Sequence, residues 1–94
     1  MRTDRIAAIG IDESGSLWQR PGNEKFPFIY REAMEVHWDT VRNCLYSPVP
    51  RGWSYSDWYR QIVAAAREQG VILVQDNLTE WNGPIEELRS SIAV

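Results

Sequence analysis

The apolar positions of this chain come in three patterns, and each predicts an element. The first is an unbroken run. Ile6, Ala7, Ala8, Ile9 and Ile11 have no charged residue among them, so residues 5 to 12 read as a strand buried on both faces. "DESG" (12 to 15) has turn chemistry, with Gly15 where a positive φ is needed. Residues 16 to 20, with Leu17 and Trp18, return as a second strand, and "PGNEKFP" (21 to 27) is a loop on its Pro, Gly and Asn content. The second pattern is helical. Trp58, Ile62, Ala65 and Ala66 share one face, with Tyr59 and Val63 beside them. Ser54 and Asp57 form a capping-box-like S-x-x-D, and Gly70 is a stop, so a helix is predicted from 55 to 69. The third pattern is the short run "VILVQD" (71 to 76), a buried strand directly after that helix. "TEWNGP" (79 to 84) reads as a turn, and Pro84 opens a short final helix with Ile85, Leu88 and Ile92 on one face.

Residues 28 to 47 fit two patterns. As a helix, Ile29, Ala33, His37, Val41 and Cys44 fall at a 3.6-residue period, and no Gly or Pro breaks the run. As strands, Val36, Trp38, Leu45 and Tyr46 flank a polar Asp-to-Asn segment, which is the signature of a hairpin. The hairpin is the reading adopted, with strands at 33 to 39 and 43 to 47. Pro48 and Pro50 then make an extended linker. The predicted fold is one α+β domain, residues 1 to 94. It has an antiparallel sheet of four to five strands, one long amphipathic helix packed on one face, and a short C-terminal helix. In this arrangement Trp58, Ile62, Val63 and Ala66 pack against Ile9, Ile11, Ile72 and Val74.

Composition narrows the function. No apolar run approaches the ~20 residues of a membrane span. "MRTDRIAAIG" has no long apolar stretch, so the chain is expected to be untargeted and cytoplasmic. The net charge is −3, with no run of Lys or Arg, which argues against nucleic acid as a partner. The single cysteine, Cys44, forms neither an internal disulfide nor a thiolate metal cage.

Candidate chemistry begins at Asp12 and Glu13. Paired acids at a strand end suit divalent-metal catalysis, and "GIDESG" resembles the first catalytic strand of the type 2 ribonucleases H and of a related ribonuclease-H-like family. That resemblance implies metal binding by Asp12 with a contribution from Glu13; two-metal chemistry needs further carboxylates, for which Asp76 and Glu80 are the candidates. Against it, the basic glycine turn that continues the ribonuclease phrase is replaced by "SLWQRP". A simple hairpin turn with both acids solvated explains the same residues. His37 is the one histidine, which removes every two-histidine mechanism. It reads as a half-exposed strand residue, and Cys44 as a small buried hydrophobe.

The most distinctive group is aromatic. Trp38, Tyr46, Trp53, Tyr55, Trp58 and Tyr59 gather around the proline-rich bend, with Arg51 and Arg60 close by. Trp, Tyr and Arg are the residue types of binding hot spots. Trp38, Tyr46, Arg51, Trp53, Tyr55 and Arg60 are the candidate binding residues, and helical spacing assigns Trp58 to the core. The phrases "EVHWD" (35 to 39) and "LYSPVPRGWSYSDWYRQI" (45 to 62) resemble small uncharacterised bacterial proteins, including those encoded on mobile integron gene cassettes. The resemblance implies no catalytic residues. The expected function is a non-catalytic interaction or binding module that self-associates as a homodimer or takes a protein partner through the aromatic face, without a cofactor. The alternative is a small metal-dependent phosphodiesterase using Asp12 and Glu13.

Overall fold

A computed structural model describes residues 1–27, 29 and 35–92. The elements run β1 (Arg2–Ile11), β2 (Leu17–Pro21), β3 (His37–Asp39), β4 (Cys44–Tyr46), α1 (Tyr55–Glu68), β5 (Val71–Val74), β6 (Glu80–Asn82) and α2 (Glu86–Ile92). The six strands form one sheet in the order β3-β4-β2-β1-β5, with β6 also on β1. The sheet is mixed, which corrects the antiparallel expectation: β5 and β6 both run parallel to β1. The cause is α1, the one helix between β4 and β5. A helix that crosses the sheet once returns the next strand in the direction of the last. At 14 residues α1 is of ordinary length rather than long. The hairpin reading holds for β3 and β4, which pair antiparallel around a turn at 40–43. The expected start of β3 at residues 33 and 34 lies outside the described residues. The segment read as a turn at 79–84 contains β6.

Register assigns the two faces of the sheet. Ile9, Gln19, Leu45 and Trp38 are successive cross-strand partners, as are Ile11 and Leu17, and these line the face under α1. A bulge between Ile6 and Ala8 brings Ile6 onto the same face as Ile9, three positions on. Trp58, Ile62, Ala65 and Ala66 of α1 close this core together with Ile85 and Leu88. From β5 the core takes Val71 and Leu73. Ile72 is half-buried and Val74 exposed, and Val63 of α1 only flanks the cluster. This reverses the predicted face of β5. Its apolar run is four residues long, so its composition holds no parity, and the register Asp4↔Leu73 decides.

Polar groups fasten the edges of this frame. Asp4 is buried, and its Oδ2 accepts from the backbone N–H of Asn23 and Glu24, at 2.9 and 2.8 Å. Burial works against its charge, but these bonds outweigh it and hold the carboxyl below its ordinary value. Between β5 and β6 the chain makes six steps, Val74 to Glu80, while β1 makes three, Arg5 to Ala8. The surplus forms a loop in which Asp76 receives Arg5 on both oxygens, at 2.8 and 3.0 Å, and the Thr79 hydroxyl donates to the Ile6 carbonyl. The Arg5 guanidinium pulls Asp76 down to about 2.

Candidate functional site

The linker from Pro48 to Trp53 runs along the start of α1 and leaves a groove of about 660 Å³ beside it. Pro48, Val49, Arg51, Gly52 and Trp53 line it from the linker, Trp58 and Gln61 from α1, and Glu35 from two positions before β3. The helix start is fixed by a full capping box. Ser54 accepts from the Asp57 N–H and Asp57 accepts from the Ser54 N–H. That cap points the next turn, and hence Trp58, at the groove floor. The Trp53 and Trp58 rings lie 4.9 Å apart between centroids and tilted by 46°. Trp58 is buried and its indole Nε1 has no hydrogen-bond partner. Trp53 stays 48% exposed, so a large ring stands in solvent on top of a buried one. Arg51 and Glu35, both exposed, place opposite charges on the lining.

Of the six candidate binding residues, the groove brings together Arg51 and Trp53. Tyr55 is turned to the other side, where its hydroxyl donates to the Gly15 carbonyl at 2.7 Å and ties α1 to the first hairpin turn. Trp38 faces the core side, edge-on to Phe26 at 5.8 Å. Arg60 is exposed on α1, 3.5 Å from Asp57. Tyr46 lies on the opposite face of the sheet. Glu35, Gln61 and the two apolar linker residues were not anticipated in the groove. Gln61 was accessible to reasoning, since it stands one turn beyond Trp58 on α1.

The face of the sheet away from α1 is a second polar and aromatic surface. Its central row is His37, Tyr46, Trp18, Gly10 and Asn82, each the cross-strand partner of the next. The His37 and Tyr46 rings stack at 5.4 Å, and the Arg20 guanidinium sits 5.1 Å over Trp18. The Trp18 ring in turn covers Gly10 so closely that a Cβ there would meet it at 2.6 Å. His37 is half-buried on its strand, as the sequence suggested. Cys44 is fully buried, and burial pushes its thiol up, away from the reactive thiolate.

Asp12 does sit at a turn, but it is half-buried and bonded rather than free in solvent. Its Oδ1 accepts from the Ser14 N–H, the Ser14 hydroxyl and the Ser16 N–H, at 3.0, 2.7 and 3.0 Å. Its Oδ2 lies 3.6 Å from Arg42. Burial opposes the charge, yet the serine donors and Arg42 together lower its pKa. Glu13 is exposed. Asp76, held on Arg5, lies seven positions back along β1 from Asp12, roughly 20 Å away at the rise of a strand. Among the described residues no group of three or more His, Cys, Asp or Glu side chains is placed to hold a metal ion. Nor is any helix among them long and apolar enough to cross a membrane.

A family model for Integron Cassette Protein Hfx_Cass5 matches residues 4–79. Among solved structures, the chain is similar to Integron Cassette Protein Hfx_Cass5 from the mobile metagenome of the North West Arm Sewage Outfall. The two are 50% identical over 98% of this chain and 93% of that one, with a TM-score of 0.52. No curated protein matches the chain. The phrases at 35–39 and 45–62, which resembled integron cassette proteins, fall within the matched span. With that span covering most of the sequence, the chain belongs to the Integron Cassette Protein Hfx_Cass5 family.

Proposed function

We propose that the protein is a non-catalytic interaction module, one α+β domain over residues 1–94, that pairs with a second copy of itself in the bacterial cytoplasm. The contact surface is the groove beside the linker, with Arg51 and Trp53 as its anchors. One observation carries this reading: Trp53 stands 48% exposed beside the exposed Val49, over the buried Trp58 ring. An exposed Trp in this setting is what a hot spot requires, a large ring with an apolar floor and an arginine at hand. The acidic balance favours a protein partner over nucleic acid, and the buried single cysteine suits a reducing compartment. Sedimentation of the wild type and Trp53→Ala tests the reading. The wild type should form dimers, and Trp53→Ala should raise the dissociation constant at least about tenfold with its fold unchanged by circular dichroism. A wild type that stays monomeric at high concentration refutes self-association; capture of a different protein by the same Trp53 surface would transfer the groove to that partner.

A further inference from the structure

The linker joins two bodies that meet in a particular way. Residues 2–47 hold β1 to β4, and residues 54–92 hold α1, β5, β6 and α2. The second body adds its two strands to one edge of β1, while the other edge belongs to β2. Its helices, with Ile85 just before α2, supply Trp58, Ile62, Ala66 and Leu88 to the core over that sheet. Everything that holds the bodies together is therefore an interface that a second copy reproduces residue for residue.

The linker is suited to opening. Val49, Arg51, Gly52 and Trp53 are exposed. Pro48 and Pro50 bias their neighbours to extended backbone, and an extended six-residue strap reaches roughly 19 Å. In the closed chain residues 51–53 form bends ahead of α1, and exchange between two copies would let the strap extend. The comparison with the solved relative bears on the same point. Half-identical chains ordinarily share one backbone throughout, yet these two overlay with a TM-score of 0.52 while 98% of this chain is aligned. A TM-score averages closeness over chain positions, so a large share of the aligned positions does not overlay as one rigid body.

We infer that the protein self-associates by exchange: α1 to α2 of one copy pack on β1 of the other, with residues 48–53 as the hinge. The inference rests on the self-association proposed above and specifies its mode. In the exchanged dimer two hinges pass each other, which covers the exposed Trp53 and Val49.

The test is a disulfide that reports which β5 sits on which β1. Thr3 and Ile72 are direct partners on the open face of the sheet, so Thr3→Cys with Ile72→Cys, in a Cys44→Ser background, oxidises across that pair. Sedimentation gives the assembly, and a non-reducing denaturing gel gives the linkage. Exchange predicts a sedimenting dimer that runs as a covalent dimer. A sedimenting dimer that runs as closed monomers overturns exchange and leaves surface pairing standing. Monomer in both measurements overturns both readings. A second measurement needs no substitution. Isotope-labelled and unlabelled wild-type dimers are mixed and followed by native mass spectrometry. Exchange requires mixed dimers to appear no faster than the chain unfolds; mixing much faster than unfolding overturns it.

Discussion

Gly15 and Gly83 both hold a positive φ, +91° and +77°, but an added methyl meets different surroundings. At Gly15 a Cβ finds Val49 at 3.5 Å, an ordinary contact, so Gly15→Ala carries the conformational cost alone, about 1 kcal/mol. At Gly83 the Cβ overlaps the Ile11 carbonyl oxygen, backbone that cannot retreat without disturbing the end of β1. Gly83→Ala should cost about 2–4 kcal/mol. Urea unfolding of the two variants checks the ranking, and equal losses would refute it. The need for glycine at 15 was legible because "DESG" is local turn chemistry. The need at 83 was not, because its reason is a strand 72 positions away. Asp12 shows the same divide. Its turn was visible in the sequence, but its half-buried pairing with Arg42 depends on the β3–β4 turn coming near. Asp4 gave no signal at all, since the loop it anchors is chosen by tertiary contact.

Among the elements, α1 was the most legible because cap, period and stop agree. Removing the cap isolates its contribution: Ser54→Ala leaves the Asp57 N–H without its acceptor and should cost about 0.5–2 kcal/mol. Thermal unfolding measures the loss, and an unchanged midpoint would show that the linker fixes the helix start without the box. The strands were harder to read, for separate reasons. β5 is apolar at every position, so nothing in it distinguishes its faces. β6 is three residues long, with Glu80 and Asn82 exposed around Trp81, and a strand this short is defined by the β1 edge it joins. The β3–β4 hairpin competed with a helix because its spacing satisfies both periods, and pairing of His37 with Tyr46 and Asp39 with Cys44 decided it. The parallel direction of β5 was available in the sequence, since one helix stood between two strands. Of the candidate site, the linker residues Arg51 and Trp53 were readable as an exposed aromatic stretch. Trp38 and Tyr46 were not separable, because alternate positions of a strand face opposite sides of the sheet.

For the whole molecule, four aspartates have lowered pKa values: Asp4, Asp12, Asp39 and Asp76. A carboxyl depressed in the folded state contributes stability above its unfolded value, and the contribution is lost as pH falls through the folded one. For Asp76 that window runs from the ordinary 3.8 down to about 2. The melting temperature should therefore fall as pH drops below about 4, and Asp76→Asn should flatten part of that slope. A wild type whose melting temperature is unchanged across the window would contradict the placement of these groups. The pairing of β1 has a further consequence, for synthesis. Its first residues pair with a strand 69 positions later, Arg2 with Val71, so this edge stays open until most of the chain has emerged. Contacts so distant in sequence slow folding and prolong the life of an unpaired strand edge. On a polysome, where nascent copies are neighbours, the first β5 to reach that edge need not come from the same chain.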